Sequence, residues 1–354
     1  MNAQFTQHNL IFKQASGTSR GVLTTKETYL LEISKNGQKG IGECAIFRGL
    51  SYDDVPDYEE KLTWLCENIN LDFEVLKKEL LHYPSIIFGL EQALLNLEHG
   101  EDLYFPSDFT DGKDSIKING LIWMGNADFM QSQIEEKLAK GFDCIKLKIG
   151  VDWKSEKEII KKLREKFPKE QLELRVDANG AFSYEEATIV LQELADLGIH
   201  SIEQPIKKSQ VKTKKSQKTD EINSTDYCAP WNEMAKLCAE TPTPIALDEE
   251  LIGIIDFEEK KKLLETIKPQ YIILKPALVG GFSGSDEWIV LAESLGIDWW
   301  ITSALESNIG LNAICQYTYT KKNPLPQGLG TGALFTNNFE THLQLEGDQM
   351  WHKK

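Results

Sequence analysis

The chain has 354 residues, of which 41% are hydrophobic and 27% are charged. These values are ordinary for a soluble globular protein, and the length allows one large α/β domain beside a smaller one. The formal net charge of −16 argues against a general surface for nucleic acid or for an anionic membrane, because both are polyanions, but not against a small anionic substrate in a locally positive pocket.

The first 110 residues or so predict a small α+β unit. Residues 29–46 read as two strands joined at Asn36-Gly37, a dipeptide that favours the tight turn of a hairpin. Three segments with helical periodicity follow, at 58–70, 72–83 and 89–100. The polar run at 107–115, after Pro106, is typical of a linker.

From about residue 115 onward, short apolar strands alternate with helical stretches. This alternation predicts parallel strands covered by helices, and seven or eight such units favour a (β/α) barrel over an open sheet. A lysine-rich tract at 207–224 interrupts the pattern. Its composition buries little apolar surface, so a solvated insertion is favoured over a basic tail that binds nucleic acid.

The N-terminus has no basic segment followed by an apolar one, and no apolar run approaches about 18 residues. Six cysteines are scattered without a CxxC pair, as suits free thiols in a reducing compartment. We therefore expect a cytoplasmic protein without membrane or nucleic-acid partners. The sequence leaves the oligomeric state open, a homo-oligomer included.

The stretch FDCIKLKIG places Lys146 and Lys148 two residues apart on a predicted strand, so both point to the same face. Taken alone, this pattern is typical of an amphipathic strand with solvated lysines. In a parallel barrel, however, helices cover the outer face, where Ile145 and Leu147 belong. The two lysines are therefore expected to point into the barrel.

The same alternation turns a polar residue inward near the end of each following strand. On the last strand, Ser303 lies on the face opposite Trp300 and Thr302. One βα unit separates each strand-end residue from the next once the lysine-rich tract is discounted; these residues are Lys148, Asp177, Glu203, Asp248, Lys275 and Ser303. The predicted inward set is Lys146, Lys148, Arg175, Asp177, Glu203, Asp248, Lys275 and Ser303.

Asp177, Glu203 and Asp248 would bring three carboxylates together at the carboxyl ends of three successive strands, where active sites of this fold lie. Unpaired, they would repel one another and raise one another's pKa. A hard divalent cation removes the conflict, and an all-oxygen ligand set favours Mg²⁺ over Zn²⁺. The alternative is that each acid forms a structural ion pair.

Lys148 precedes these carboxylates by one strand and Lys275 follows them by one, so the two lysines would flank the metal. The neighbouring cation Lys146 disfavours the ammonium form of Lys148 and makes it a candidate general base. A substrate carboxylate on Mg²⁺ would have its α-proton acidified. The reaction class predicted is proton abstraction α to a carboxylate.

The motifs KLKIG, RVDANGAF, SIEQPI, ALDEEL, ILKPALVGG and TSALESNIGL resemble the muconate lactonizing subgroup of the enolase superfamily. The resemblance covers nearly the whole chain. It implies an α+β capping domain at 1–110, a (β/α)7β barrel at 115–330, and a C-terminal segment at 331–354 that returns to the cap.

Carried over to this chain, the resemblance implies Mg²⁺ ligands at Asp177, Glu203 and Asp248, and Lys148 as the acid/base of a K-x-K motif. Lys146 would tune its charge and touch the substrate carboxylate, and Lys275 would act from the opposite face. Asn179 and Glu249 match positions that support the ligands.

Within the subgroup the chain resembles the o-succinylbenzoate synthase family, whose members carry out a dehydration in menaquinone biosynthesis. SALESNIG is similar to the family's segment near the succinyl carboxylate, with Ser303 as a donor. GTSRGVL resembles a cap loop in which Arg20 would meet a carboxylate. GLGTGALFTNNF lacks the D-x-D of dipeptide epimerases. The alternatives are an N-acylamino-acid racemase or dipeptide epimerase, and a non-catalytic, metal-binding enolase-like protein.

Overall fold

The N-terminal unit is a three-stranded antiparallel sheet covered by helices. The structure is a computed structural model that describes residues 1–18, 21–123, 127–209 and 231–353. The strands of this sheet are β1 (Asn2–Thr18), β2 (Gly21–Lys35) and β3 (Gln38–Cys44), in that order. The hairpin at Asn36-Gly37 is confirmed: both residues have positive φ, 53° and 83°, as its tight turn requires. The predicted elements did not include β1.

Three helices pack against this sheet: α1 (Tyr58–Asn68), α2 (Phe73–Glu79) and α3 (Pro84–His99). All three predicted helices are present, but α3 begins five residues earlier than its predicted start at residue 89. Pro84 occupies the first turn, where its missing N–H costs no hydrogen bond. Together the sheet and helices enclose a hydrophobic core of their own.

The second unit is a parallel sheet of seven strands whose spatial order follows the chain. Helices alternate with the strands and cover their outer face. The strands are β5 (Gly120–Ile122), β6 (Cys144–Lys148), β7 (Glu173–Asp177), β8 (Ser201–Glu203), β9 (Ile245–Leu247), β10 (Tyr271–Leu274) and β11 (Asp298–Ile301). The helices are α4 (Ala127–Ala139), α5 (Trp153–Lys166), α6 (Tyr184–Asp196), α7 (Asn232–Glu240), α8 (Phe257–Ile267), α9 (Pro276–Val279), α10 (Gly281–Ser294) and α11 (Asn308–Lys321).

A short segment at Gln327 and Gly328 links the two edges of this sheet. Gln327 forms a parallel bridge with Ile118, just before β5, and Gly328 forms one with Thr302, just after β11. The bridges join the last strand to the first, which closes the sheet into a barrel and confirms the predicted fold class.

The C-terminal segment contacts both units. Leu334 and Thr336 exchange backbone hydrogen bonds with β1, each 2.8 Å long. Beyond them, β12 (Leu343–Glu346) and β13 (Gln349–His352) form a hairpin that pairs with β4 (Ser115–Lys117). The division into domains near residues 110 and 330 remains a prediction. No helix in the described ranges is long and apolar enough to cross a membrane.

Two buried carboxylates of the N-terminal unit each meet the start of a barrel helix. Glu43, on β3, accepts hydrogen bonds from the backbone N–H groups of Ser307 and Gly310 at the start of α11, at 3.0 and 2.9 Å. Glu91, on α3, accepts from the N–H groups of Phe282 and Ser283 at the start of α10. Helix N-termini attract anions, so these contacts fix the cap over the barrel.

The close approach of β3 to α3 depends on Gly42, because a Cβ added there would lie 1.9 Å from the carbonyl oxygen of Gly89. We expect Gly42→Ala to lower the free energy of unfolding by about 2 to 3 kcal/mol through overpacking. Urea denaturation measures this change. Lys39→Ala, at an exposed position of the same strand, is the control and should change it by less than about 0.5 kcal/mol. Equal stability of the two variants would contradict the packing account.

Candidate active site

The two lysines of β6 point into the barrel, as predicted. Lys146 is 7% exposed, and its Nζ lies 3.0 Å from Asp177 Oδ2 and also contacts Glu203. Lys148 Nζ lies 3.2 Å from the same Asp177 oxygen and donates to Asn179 Oδ1 at 2.7 Å. Ile145 and Leu147 lie in the core between the strands and the helices. Both ammonium groups therefore meet one carboxylate oxygen.

The three predicted ligands lie on adjacent strands and are brought together. Asp177 pairs in register with Glu203 on the next strand, and Asp248 follows the end of the strand after that. All three side chains are about 2% exposed or less. Lys275 Nζ contacts Asp248 and lies 3.7 Å from Glu203 Oε1. The lysines and carboxylates thus form one buried, charged cluster.

The three acids of this cluster differ in the direction in which their pKa is shifted. Burial raises the pKa of Glu203 to about 7, and the charge of Asp177 adds to the shift. Burial likewise raises the pKa of Asp248. Burial also acts to raise the pKa of Asp177, but Lys146 and Lys148 outweigh it and hold that pKa below its usual range. The cluster therefore gains from additional positive charge.

The donor set fits a hard divalent cation. The three carboxylates share the lysine partners Lys146 and Lys275, and the group contains no histidine or cysteine. Glu203 Oε1 accepts no hydrogen bond within the described part of the chain. All-oxygen sites of this kind suit Mg²⁺. Enolase-superfamily sites pair a lysine or histidine base with one or two Mg²⁺ ions.

Asn179 and Glu249, which the sequence predicts to support the ligands, form a hydrogen-bonded chain that begins at Asp177. Asn179 donates through its backbone N–H to Asp177 Oδ1 at 3.1 Å and through its side chain to Glu249 Oε1 at 3.1 Å. Because Asn179 also accepts from Lys148, it links the lysine, the first carboxylate and Glu249. This arrangement orients Lys148 toward the cavity.

Sequence reasoning missed Gln204, which orders the third carboxylate. It is fully buried, has a positive φ of 41°, and accepts hydrogen bonds from the backbone N–H groups of Asp248 and Glu250 at 3.3 and 3.2 Å. The signal was present, since Gln204 directly follows Glu203 in SIEQP. Its hydrogen bonds to the backbone just after β9 could not be inferred without the fold.

A cavity at the carboxyl ends of the strands brings several residues of the site together. Its walls are mostly apolar, which the sequence did not predict. The polar groups on its wall include the predicted Lys146, Lys148, Asp177, Asn179, Glu249, Lys275 and Ser303. The missed lining residues include Phe47, Leu50, Asn119, Leu121, Trp123, Leu305 and Thr331.

Ser303 reaches the cavity for a different reason from the one predicted. Trp300 packs with Ala246 and Ile273 inside the barrel and lies under the Arg175 guanidinium at 4.3 Å, so the inward face of β11 is that of Trp300. The expected strand alternation was therefore wrong here. β11 ends at Ile301, and beyond that point Ser303 turns to the cavity and lies 2.6 Å from the Thr331 hydroxyl.

Two predictions fall wholly or mostly outside the described residues. Arg20 and residues 210–224 of the lysine-rich tract lie outside the described residues. The described start of the tract contacts the turn after β9: Lys208 donates to the carbonyl of Ile252, and the Ser209 N–H lies 3.3 Å from Glu250.

Comparison with known proteins supports the chemistry read from this site. The family described as enolase C-terminal domain-like matches residues 130–221. An o-succinylbenzoate synthase of Desulfotalea psychrophila is 42% identical over 98% of each chain. The crystal structure of MenC from the same organism covers 99% of each chain at 40% identity, with a TM-score of 0.84.

Relatives with other names also match. An N-succinylamino acid racemase of Thermus thermophilus is 33% identical over 83% of this chain and 75% of the relative. A dipeptide epimerase of Enterococcus faecalis, solved with Mg and the dipeptide L-Leu-L-Tyr, covers 100% of this chain and 97% of its own, with a TM-score of 0.81. Its 18% identity shows the fold alone. The capped barrel, its motifs and these near-full-length matches agree: the chain belongs to the enolase superfamily, in the family of o-succinylbenzoate synthases and related racemases.

Proposed function

We propose that the protein is a Mg²⁺-dependent o-succinylbenzoate synthase, a hydro-lyase that dehydrates 2-succinyl-6-hydroxy-2,4-cyclohexadiene-1-carboxylate in menaquinone biosynthesis. One observation carries the reaction class: Lys148, Lys275 and Asp177 line one cavity. The buried carboxylates of Glu203 and Asp248 contact the lysines of its wall. The 42% identity to a synthase over nearly the whole chain supports the choice of substrate.

Lys148 is the proposed general base. Its Nζ lies on the cavity wall, held by Asn179 Oδ1 at 2.7 Å, and it is the lysine nearer the end of its strand. In its neutral form it would take the proton α to the substrate carboxylate. Lys146, which shares the same Asp177 oxygen, places a second positive charge beside it.

Asp177, Glu203 and Asp248 would hold the Mg²⁺, which, when bound, supplies positive charge that acidifies the α-proton of a coordinated carboxylate. Lys275 would add charge from the other side. Burial acts to lower its pKa, but Asp248 and Glu203 outweigh that effect and raise it, so Lys275 remains an ammonium group near neutral pH. Its proposed role is electrostatic stabilisation of the charge that develops on the substrate.

The protonated Lys148 would then return its proton to the departing β-hydroxyl. The carbon–oxygen bond breaks, and the hydroxyl leaves with that bond's electron pair and takes the proton to become water. The electron pair left on the substrate by removal of the α-proton forms the double bond that completes the aromatic ring. Aromatisation makes this step favourable, so the chain needs no further acid beside Lys148. The apolar wall formed by Leu121, Trp123 and Leu305 suits the ring of such a substrate.

Ser303 is the proposed donor to the succinyl carboxylate. Its hydroxyl accepts the Leu305 N–H at 3.2 Å and shares a hydrogen bond of 2.6 Å with the Thr331 hydroxyl, in which either group can donate. When Thr331 donates, the Ser303 proton is available to a ligand. We expect Ser303→Ala to raise KM several-fold with a smaller change in kcat, because the contact lies away from the reacting atoms. Steady-state kinetics measures the split; an unchanged KM would contradict this role. Arg20 remains a predicted partner of a carboxylate.

A direct comparison of two assays tests the proposal. The purified protein with Mg²⁺ is given the cyclohexadiene substrate in one assay and N-succinylamino acids in deuterated water in the other. The proposal predicts a much larger kcat/KM for dehydration than for exchange at the α-carbon. Exchange without dehydration would assign the protein to the racemases instead.

The racemase is the second candidate because Lys148 and Lys275 lie on strands separated by three others, on opposite sides of the cavity. That placement provides the two opposed bases that racemisation requires. The 33% identity to an N-succinylamino acid racemase supports it as well. A non-catalytic metal-binding protein is the third candidate, and turnover lost in Lys148→Ala while Mg²⁺ still binds would eliminate it. A cytoplasmic location remains a prediction.

A further inference from the structure

A second group of metal-binding side chains lies outside the cavity. Asp102 follows α3, His342 precedes β12, and His352 ends β13. Asp102 Oδ2 lies 2.6 Å from His342 Nδ1 and 3.0 Å from His352 Nε2. One potential ligand atom from each residue falls within a sphere that a single ion could occupy, all within 4.8 Å of one another.

Hydrogen bonding alone leaves this group incompletely satisfied. Both imidazoles would have to donate to one oxygen, and the second oxygen, Asp102 Oδ1, is buried without a hydrogen-bond partner. His352 is fully buried, and its Nδ1 also has no partner. A buried carboxylate oxygen without a partner, such as Asp102 Oδ1, is rare in native proteins and calls for a missing partner such as an ion.

The scaffold holds the three donors in place. The carbonyl of Asp102 accepts from the side chains of Asn312 and Gln316 on α11, at 2.9 and 2.8 Å. β13, which carries His352, is paired on one side with β12 and on the other with β4. Little backbone ordering would therefore be needed on binding, which favours affinity.

The group belongs to the end of the barrel opposite the cavity. Lys117, at the end of β4, forms an ion pair of 2.6 Å with Asp143, which directly precedes β6, so the β4–β13 sheet lies at the amino ends of the barrel strands. None of the three donors lines the cavity described above. At this end of the fold, side chains serve stability rather than chemistry.

We propose that Asp102, His342 and His352 bind a divalent transition-metal ion of the Zn²⁺ class, which ties the C-terminal hairpin to the segment that connects cap and barrel. Two imidazoles and one carboxylate suit Zn²⁺ and Co²⁺ and disfavour Mg²⁺, which prefers oxygen ligands. Tetrahedral ligands of Zn²⁺ lie about 3.3 Å apart, so His342 and His352 would each move away from Asp102 Oδ2, by about 0.7 and 0.3 Å. His342 is 44% exposed and leaves a coordination position open to water.

Co²⁺ spectroscopy tests the site. Metal-free protein in excess Mg²⁺ is titrated with Co²⁺, and the expected result is a visible d–d absorption of low-symmetry Co²⁺ that saturates near one ion per chain, without the intense near-ultraviolet band of cysteine ligation. His342→Ala, at a half-exposed position, should remove the absorption. His99→Ala, at an exposed position a few residues before Asp102, is the matched control and should retain it.

Thermal unfolding gives the second measurement. Zn²⁺ is expected to raise Tm in the wild type and in His99→Ala, and to leave His342→Ala and Asp102→Asn unchanged. Absorption or a Tm shift that persists in both of these variants would place the metal elsewhere and overturn the proposal. If His342→Ala lowers Tm without metal while Zn²⁺ shifts no variant, the group is a hydrogen-bonded tie only, and the proposal is wrong.

Discussion

Replacement of Lys148 by alanine is expected to lower kcat for dehydration by about 10²- to 10⁴-fold, the range that a general acid or base contributes. Lys148 is assigned both proton transfers, so no other side chain should compensate. Its Nζ shares an Asp177 oxygen with Lys146. Lys146, however, lies two residues earlier in the strand and also contacts Glu203, so it should not replace Lys148. The measurement is the initial rate of aromatic product formation with saturating Mg²⁺.

Two variants sharpen this test. Lys154→Ala removes an exposed lysine from α5 and should keep full activity. Lys146→Arg retains the positive charge beside Lys148 and should keep more activity than Lys148→Ala. If Lys146→Arg loses as much activity as Lys148→Ala, the assignment of Lys148 as the base and of Lys146 as a neighbouring charge is wrong.

Glu203→Gln is expected to have the largest effect on metal binding. Glu203 lies between the other two carboxylates in the strand order and carries an Oε1 atom that accepts no hydrogen bond from the described residues. Loss of its charge should weaken Mg²⁺ binding by at least about 10- to 100-fold, the loss that even outer-shell partners cause, and activity should fall with it. Isothermal titration with Mg²⁺ measures the affinity directly.

Glu170→Gln, at an exposed position before β7, is the charge-matched control and should bind Mg²⁺ as the wild type does. Excess Mg²⁺ should restore part of the activity of Glu203→Gln if the carboxylate acts as a ligand. Unaltered Mg²⁺ affinity in Glu203→Gln would show that the three acids form structural ion pairs, the alternative that the sequence left open.

The hairpin and the grouping of the three carboxylates were predictable because local rules decide them. Asn36-Gly37 determines a turn through backbone conformation alone. Asp177 and Glu203 lie at the ends of strands whose apolar alternation fixes which side chains face inward, and parallel strands bring those ends to one edge. Six ordered motifs then narrowed the chemistry to one superfamily.

The remaining features depend on contacts between distant parts of the chain. Ser303 was assigned by strand alternation, yet β11 ends at Ile301 and Trp300 takes the inward position, stacked against Arg175. No local pattern marks where a strand stops alternating. In the same way, Asp102 meets His342 only because the C-terminal hairpin adds to β4, a pairing between segments more than 200 residues apart.

Product formation by metal-stripped protein tests the central claim most directly. The protein is treated with chelator, freed of it, and mixed with 2-succinyl-6-hydroxy-2,4-cyclohexadiene-1-carboxylate, and the aromatic product is followed by absorbance before and after addition of Mg²⁺. We predict almost no product before Mg²⁺ and rapid, complete conversion to o-succinylbenzoate after it. No product after Mg²⁺, or the same rate before and after, would contradict the assignment of a Mg²⁺-dependent dehydratase.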